Sequence, residues 1–474
     1  MTMRQPPLPL RLKLYHGFGA VAFGVKDNGF SVFLLIFYNQ VLGMPAATVS
    51  LALALALIAD ALIDPLLGHL SDRTYTRWGR RLPWLYAAAI PLALAWAYLW
   101  LPPAGGEPTF IGLLLTAIGV RLLLSACEVP SVALVPELTR DYDERTTLFR
   151  FRYLFGWIGG LLMMVLAYTV FLPGERMLQA DGYIAFGVTG AALILVSVVV
   201  SALGQHKRVA HYPLMRPPPF SLANAFGEIR EAFSERAFLI LAAGTVAAYA
   251  SQGMTFALSN YLNLFVWEFS RTAFMLYPLV LFASVVLVFV TLGTLHKRWG
   301  KPRTAMLAAL AAMVLWLIPY LLRLAGAWPE VGSPASTALL FAFVIVSNAA
   351  GVMVMVSGSS MVAEIVEAFE ERTGRRAEAS FYAGNWFVLK CSTGVGIFIA
   401  GLIVSWAGMP DGAQPGAVSA AVIDRMIVYY IAIGTVLGLI AAFWLARFPI
   451  GRADHEARLA ALDALARADP DGAA

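Results

Sequence analysis

The sequence predicts an all-α membrane protein with twelve transmembrane helices. Two observations of composition support this class: 59% of the 474 residues are hydrophobic and only 13% are charged. The mean hydropathy of +0.73 agrees with them. A soluble protein of this length could not bury so much apolar surface, so the sequence excludes a soluble globular fold.

The third observation is a series of long apolar segments. Each reaches the roughly 20 residues that a helix needs to cross a bilayer. The twelve segments lie at about 16–41, 46–70, 83–102, 109–135, 150–171, 183–204, 237–264, 270–296, 303–324, 337–366, 379–406 and 424–447. Both cysteines, Cys127 and Cys391, fall within such segments, which indicates neither a disulfide scaffold nor a zinc site.

The basic residues are distributed unevenly between the two sets of loops. Of 34 Lys and Arg residues, 27 lie in the amino terminus, in the loops that follow even-numbered segments, or in the tail. The other loops carry four, Arg176, Arg271, Arg323 and Arg425. This asymmetry predicts that both termini are cytoplasmic, as in a multi-pass protein of a bacterial inner membrane. It also explains the basic pI, so no nucleic-acid partner is expected.

A long polar stretch divides the chain into two halves. We expect a first six-helix half at 1–204, a cytoplasmic linker at 205–236, a second half at 237–447 and a cytoplasmic tail at 448–474. The loops "GHLSDRTYTRWGRRLPW" (68–84) and "GTLHKRWGKPR" (293–303) share the order Gly, Leu, Trp-Gly and Pro at equivalent places. This internal repeat indicates duplication and hence two pseudo-symmetric bundles.

Ionisable residues inside the segments are the strongest functional signal. Each costs about 2.5–3.5 kcal/mol at the bilayer centre on insertion scales, so such residues face the bundle interior, pair, or line a pathway. Here they are Lys26, Asp27, Asp60, Asp64, Arg121, Glu128, Glu364, Glu367 and Lys390, with Arg152 at the start of segment 5. We expect Arg152 to lie at the cytoplasmic edge, unless segment 5 begins earlier.

Asp60 and Asp64 are four residues apart and therefore share one helix face. At a separation of about 5 Å and an effective dielectric of about 20, their repulsion is roughly 3 kcal/mol. One interpretation is a site for Na⁺ or H⁺, since hard cations prefer carboxylate oxygens. The alternative is an ion pair with Lys390 or Arg121 that only ties helices together. Pro65 weakens the local backbone hydrogen bonding and frees carbonyl groups nearby.

Three further residues allow two interpretations each. Lys390 lies too deep in segment 11 to reach the membrane surface, and is either a substrate contact or a counter-charge for the aspartates. Glu128 and Ser125 share a face of segment 4, and each is either a ligand or a partner in a helix–helix hydrogen bond. Their spacing alone does not decide between these roles.

Four stretches together resemble the glycoside–pentoside–hexuronide:cation symporters, the melibiose-permease-like branch of the major facilitator superfamily. They are "KLYHGFGAVAFGVKD" (13–27), "DALIDPLLGHLSDRTYTRWGRRLPW" (60–84), "PELTRDYDERTTL" (136–148) and "MVAEIVEAFEERTGRRAEASFYAGNWFVLK" (361–390). The sodium-dependent lysophospholipid transporters of animals belong to the same branch. The resemblance covers most of the chain and implies the fold of that superfamily.

The resemblance also implies the site residues. The cation site, for Na⁺ or H⁺, would use Asp60, Asp64 and Ser125. The substrate site would use Asp27, Glu128, Arg152, Asn385, Trp386 and Lys390, where Lys390 matches a lysine thought to link the two sites. Asn385-Trp386 stands at a Gln-Thr pair. Other positions depart from the family as well: Ser125 stands at a Thr and Glu128 at an Asp, Ile63 replaces an Asn, and Val132 and Met355 replace Trp residues.

These features predict secondary active transport by alternating access, coupled to Na⁺ or H⁺, with a sugar, glycoside or uronide as substrate. The alternatives are a transporter of lysolipids or other amphiphiles and an uncoupled lipid-handling or sensory protein. We expect a monomer surrounded by membrane lipids, with no cofactor. No enzymatic motif of the type G-x-S-x-G or H-E-x-x-H occurs. The predicted gate comprises Gly68, Asp72, Arg73, Arg80, Arg81, Arg298 and Lys301.

Overall fold

The computed structural model of the protein describes residues 8–103, 106–139, 141–211, 222–375 and 377–450. Within these residues, twelve helices are long and apolar enough to cross a membrane, which confirms the predicted fold class. Numbered helix 1 to helix 12, they are Leu10–Val41, Ala46–Arg73, Leu82–Leu99, Phe110–Leu138, Glu144–Phe171, Ala180–Val209, Arg236–Val266, Arg271–Trp299, Lys301–Leu324, Pro334–Thr373, Glu378–Ala407 and Ala420–Leu445.

Several helices extend beyond the predicted segments. Helix 5 already has helical geometry from Tyr142, capped by the Asp141 carboxylate, which accepts a 2.9 Å hydrogen bond from the Glu144 amide. Helix 6 continues to Val209, into the predicted linker, and helix 10 continues to Thr373. Hydropathy marks where a segment becomes polar, whereas a helix ends where its backbone is capped. The tail beyond residue 450 lies outside the described residues.

The two halves repeat the same pattern of helix packing. In the first half helix 1 packs on helices 5 and 6, helix 3 packs on helices 4 and 6, and helix 2 packs on helix 4. The second half has the equivalent pairs: helix 7 with 11 and 12, helix 9 with 10 and 12, and helix 8 with 10. The repeat predicted from two loops therefore extends through both bundles.

Glycines allow the closest helix pairs to approach. A Cβ atom on Gly24 of helix 1 would lie 2.0 Å from the carbonyl oxygen of Gly156 on helix 5. A Cβ atom on Gly396 of helix 11 would lie equally close, 2.0 Å, to the carbonyl oxygen of Ala250 on helix 7. Small residues at such crossings are typical of membrane bundles, where backbone proximity maximises van der Waals contact.

The halves meet chiefly through helices 2 and 11, 1 and 7, and 5 and 8. We call the side of the molecule that carries the loop between helices 2 and 3 the basic side, and the other the opposite side. On the basic side, a linker helix, Leu222–Ala232, packs on helix 11 and also contacts helix 2. The contacts of helices 1 and 7 involve the parts of helix 1 nearer the opposite side.

Candidate functional site

Asp60 lies near the middle of helix 2 and is only 3% exposed. Its Oδ1 atom accepts a hydrogen bond of 2.8 Å from the Ser125 hydroxyl. Its Oδ2 atom accepts one of 2.9 Å from Nη1 of Arg121, which like Ser125 belongs to helix 4. The side chains that line one face of helix 4 therefore surround this carboxylate.

Lys390 of helix 11 connects both aspartates. Its Nζ atom lies 3.0 Å from Oδ2 of Asp60 and 2.5 Å from Oδ2 of Asp64. The other carboxylate oxygen of Asp64 is buried and has no hydrogen-bond partner among the described residues. Helix 2 and helix 11 belong to different halves, so Lys390 forms an ionic connection between the two bundles.

The charges of this group balance. Two carboxylates, Asp60 and Asp64, face two cations, Arg121 and Lys390. At about 3 Å and an effective dielectric of about 20, each contact is worth roughly 5 kcal/mol of Coulomb attraction before desolvation is subtracted. Both counter-charges that the sequence offered as alternatives are therefore in place, and they relieve the repulsion between the aspartates.

A second group of charges lies beside the first, on helices 1, 4 and 5. Arg152 is 7% exposed, donates a 2.7 Å hydrogen bond to the Ser131 hydroxyl and lies over the ring of Phe23 at 4.9 Å. Helix 5 starts before the predicted segment 5, which is the case in which Arg152 is not expected at the cytoplasmic edge. Because the helical geometry that continues into helix 5 begins at Tyr142, Arg152 lies almost three turns from the start of the helical backbone, and its burial shows that it faces the bundle interior.

Asp27 and Glu128 complete the second group. Asp27 forms an ion pair with Lys26, and its side chain is 67% exposed. Glu128 is half-buried, and its carboxylate lies in the field of Lys26, Lys390 and Arg152. Lys390 therefore acts electrostatically on carboxylates of both groups, on Asp60 and Asp64 of the first and on Glu128 of the second.

Asn385 and Trp386, on helix 11, face different surroundings. Asn385 is buried and lies beside the hydroxyl of Tyr249 within the second half. Trp386 is 48% exposed and lies one helical turn from Lys390 on the same face of helix 11. Met355, at a family Trp position, accepts a contact of 3.0 Å from the Gln252 amide.

The predicted gate residues of the first half surround Arg81. Its guanidinium lies 2.8 Å from Oδ1 of Asp72 and 3.0 Å from Oε1 of Glu137, and it donates to the carbonyl of Ala133. Arg73 donates to the His69 carbonyl at 3.1 Å. Helix 2, the following loop and helix 4 are thus held together on the basic side.

The remaining gate residues have less in common. Lys301 lies 3.0 Å from Oε1 of the buried Glu364, a pair that joins helices 9 and 10 within the second half. Arg298 is exposed and lies over the Trp299 ring at 5.8 Å. Arg80 is half-buried, and a Cβ atom on Gly68 would lie 3.6 Å from Val129, an ordinary contact.

Sequence reasoning missed a polar cluster on the opposite side, where helix 1 ends. The side-chain amide of Asn39 donates a hydrogen bond of 2.9 Å to the Asp411 carboxylate. Its oxygen accepts a hydrogen bond of 2.7 Å from the Tyr261 hydroxyl. Gln40 donates to the Pro410 carbonyl at 3.1 Å and accepts from the Ala413 amide at 2.8 Å. We call this cluster the amide clasp; its available signal was two adjacent amides at the end of an apolar segment.

A second contact between the halves lies near the amide clasp. Asn260 of helix 7 donates a hydrogen bond of 2.9 Å to the Val32 carbonyl of helix 1. It also accepts one of 2.8 Å from the Tyr168 hydroxyl of helix 5. Asn260 is fully buried, so these bonds satisfy an amide that would otherwise be costly in the bundle. The opposite side is therefore closed by hydrogen bonds, of which that from Asn39 to the Asp411 carboxylate involves a charged group.

Comparison with known proteins places this geometry in a family. The profile of the family described as MFS/sugar transport protein matches residues 15–452. Among solved structures, a bacterial homologue of the human lysosomal transporter Spinster, in an inward-facing and unoccupied conformation, has a similar fold. The TM-score is 0.67 at 15% sequence identity, over 92% of this chain and 95% of that one.

Curated relatives are named as symporters or transporters. The chain is 27% identical to an uncharacterized symporter, sll1374, of Synechocystis, over 84% of this chain and 85% of the relative. It is 25% identical to the isoprimeverose transporter of Lactiplantibacillus pentosus, over 87% of this chain and 83% of the relative. It is 22% identical to the sodium-dependent lysophosphatidylcholine symporter 1-A of Danio rerio, over 86% of this chain and 80% of the relative.

Proposed function

The chain belongs to the MFS/sugar transport protein family, and we propose that it is a cation-coupled symporter of a sugar, glycoside or uronide. Two of the relatives named above are called symporters and another transports isoprimeverose, a sugar. Coupling requires a cation site and a substrate site that influence one another. The two neighbouring charge groups have the arrangement that such coupling needs.

The observation that carries the proposal is the position of Lys390 between Asp60 and Asp64. An ammonium group bound by two carboxylates occupies the position in which a coupling cation would bind. A cation that binds there displaces Lys390, because both compete for the same oxygens. Since Lys390 comes from the other half, this displacement changes the contact between the halves and thereby the conformation of the transporter.

The displaced ammonium group links the ion to the substrate. Glu128 lies within the field of Lys390, so Lys390 is drawn towards it when it leaves the aspartates. Glu128, Asp27 and Arg152 would then bind the hydroxyl groups of a sugar by charge-assisted hydrogen bonds. Trp386 presents an exposed ring one turn from Lys390, on which a sugar ring could pack.

The contacts between the halves indicate the state of the cycle. The amide clasp and Asn260 join the two halves on the opposite side. On the basic side the ion pairs Asp72–Arg81 and Lys301–Glu364 each lie within one half. With the basic side in the cytoplasm, as the distribution of Lys and Arg predicts, closure of the opposite side corresponds to an inward-facing or occluded arrangement, in which the linker helix contacts both helix 11 and helix 2 on the basic side.

Uptake into proteoliposomes tests the proposal. Labelled isoprimeverose and a glucuronide are offered with an inward gradient of Na⁺, with one of H⁺, or with neither. We expect accumulation only with an ion gradient, and expect Asp60→Asn to abolish the accumulation while leaving downhill exchange measurable. If Asp60→Asn still accumulates substrate under the gradient, the aspartates do not couple transport.

A lysolipid is the second candidate substrate, because a relative is named as a lysophosphatidylcholine symporter. Lysophosphatidylcholine is therefore included in the same uptake assay. An uncoupled lipid-handling or sensory protein predicts a different result. In that case the two aspartates only stabilise the bundle, so Asp60→Asn lowers the melting temperature and no ion gradient drives accumulation of any of the three compounds.

A further inference from the structure

We propose that Arg121 is an ion-selectivity residue, which holds an Asp60 oxygen that a sodium ion would need as a ligand and so excludes sodium from the site. The inference rests on the proposed symport and removes sodium from its two candidate ions. Arg121 has no assigned role in either the cation site or the substrate site implied by the family resemblance. Its contacts in this structure, described below, point to this role.

Three side chains donate hydrogen bonds or salt bridges to Asp60, and they differ in freedom of movement. The hydroxyl of Ser125 can rotate and offer a lone pair to an ion. Lys390 has a flexible four-carbon stem and can swing away. Arg121 can do neither, because its guanidinium is a permanent cation without an acceptor atom. Its planar group is also held against the Phe30 ring at 4.4 Å, and the residue is 4% exposed.

The contact between Arg121 and Asp60 persists through the transport cycle. Asp60, Arg121 and Phe30 lie on helices 2, 4 and 1, which all belong to the first half. Alternating access moves one half against the other and leaves the packing inside each half nearly unchanged. Lys390 belongs to the second half, so its contact with Asp60 changes during the cycle while that of Arg121 remains.

A sodium ion would therefore meet a site that already holds a cation. Lys390 marks the position between the carboxylates, and it shares the Oδ2 atom of Asp60 with Arg121. An ion in that position would share the same oxygen with a fixed guanidinium. Hard cations need several oxygen ligands to replace their water. Arg121 repels the ion and already uses one of the oxygen atoms that the ion would need as a ligand.

Removing the positive charge of Arg121 should create a sodium response. Purified wild-type protein and Arg121→Ala are melted in NaCl and in choline chloride of equal ionic strength. We expect no difference for the wild type. For Arg121→Ala we expect a saturable rise of a few degrees in Tm with NaCl, because an ion that binds the folded state stabilises it. The double variant Arg121→Ala/Asp60→Asn should lose this rise.

Arg152→Ala is the matched control, because it removes a buried arginine of the same half that bonds Ser131 and not Asp60, and it should stay insensitive to sodium. If Arg121→Ala does not give a monodisperse protein, Arg121→Gln replaces it, since its amide can still donate to Asp60. A sodium-dependent Tm of the wild type overturns the inference. A folded Arg121→Ala without a sodium response also overturns it.

Uptake driven by a sodium gradient would contradict the inference and leave symport intact, whereas no uptake under either gradient would contradict symport itself.

Discussion

Lys390 and Asp64 form an ion pair of 2.5 Å that joins the two six-helix halves. Each partner lies in the middle of its helix, and Lys390 also reaches Asp60 at 3.0 Å. An ion pair between halves is expensive to bury, and its two partners separate when the halves move. This contact therefore suits a group that changes partners during transport better than one that serves stability alone.

The first prediction separates these two roles of Lys390. Lys390→Ala leaves Asp64, whose side chain is 25% exposed, without its counter-charge, so we expect a loss of stability of about 1–3 kcal/mol. Ion-driven accumulation should fall by about tenfold or more, the scale of an ordinary coupling energy between two sites. Tm and proteoliposome uptake measure the two effects on the same preparation.

The double variant Lys390→Ala/Asp64→Asn is the control for the first prediction. It removes both charges of the pair, so we expect most of the stability to return while accumulation remains lost. A purely structural ion pair predicts that accumulation returns together with stability. Recovery of ion-driven uptake in the double variant would therefore contradict the coupling role of Lys390.

The fold was predictable because it depends on patterns spread over many residues. Length and apolar composition identify a transmembrane helix whatever its neighbours are, and all twelve segments were found. The helix ends were predicted less well. The helical geometry of helix 5 begins eight residues earlier than the apolar segment, because its first two turns consist mostly of polar residues, which hydropathy does not identify as part of a transmembrane helix. That error alone misplaced Arg152.

The candidate site was predictable only in part. The spacing of Asp60 and Asp64 placed both on one face, and the cost of burial required counter-charges. The sequence did not indicate whether Arg121 or Lys390 supplies the counter-charge, because the choice depends on which helices pack together. The amide clasp was missed for the same reason: Asn39 meets Asp411 across 372 positions of sequence. The adjacent amides Asn39 and Gln40 indicate a polar contact, but nothing local in the sequence indicates that its partner is Asp411.

The second prediction concerns the amide clasp. Gln40→Ala removes two hydrogen bonds to the loop at Pro410 and Ala413. Each hydrogen bond contributes about 1 kcal/mol net. The equilibrium between the conformations closed and open on the opposite side should therefore shift by roughly 2 kcal/mol, or about thirtyfold, towards the open one. The distance between spin labels on the two halves at that side should accordingly show a new, longer population.

Exposed loop residues of the opposite side, Glu107 and Glu330, suit the spin labels because they belong to different halves. The native Cys127 and Cys391 are first replaced by serine. Gln414→Ala is the matched control, since Gln414 is an exposed glutamine of the same loop. An unchanged distance distribution in Gln40→Ala would show that the clasp does not hold this side closed.

The third prediction concerns the group around Arg81 on the basic side. Arg81 is mostly buried and contacts Asp72, Glu137 and the Ala133 carbonyl, whereas Asp72 is half-exposed. Arg81→Ala should cost about 2–3 kcal/mol, because it leaves Glu137 and a carbonyl group without their donor. Asp72→Ala should cost under about 1 kcal/mol, as for an exposed ion pair. Chemical or thermal unfolding of both variants measures the difference, and equal losses would contradict the central role of Arg81.

The fourth prediction tests the close packing of helices 7 and 11, which holds Lys390 in place. In Gly396→Ala the new methyl group would lie 2.0 Å from the Ala250 carbonyl oxygen, a backbone atom that cannot turn away. Helix 11 must therefore move outwards, at a cost of about 1–3 kcal/mol.

Gly351→Ala is the matched control on helix 10, because a Cβ atom there meets no atom within 4 Å. We expect a lower Tm and weaker ion-driven uptake for Gly396→Ala and wild-type values for Gly351→Ala. Since Gly396 lies less than two turns from Lys390 on the same helix, a Gly396→Ala variant with normal stability and uptake would show that this crossing does not position Lys390.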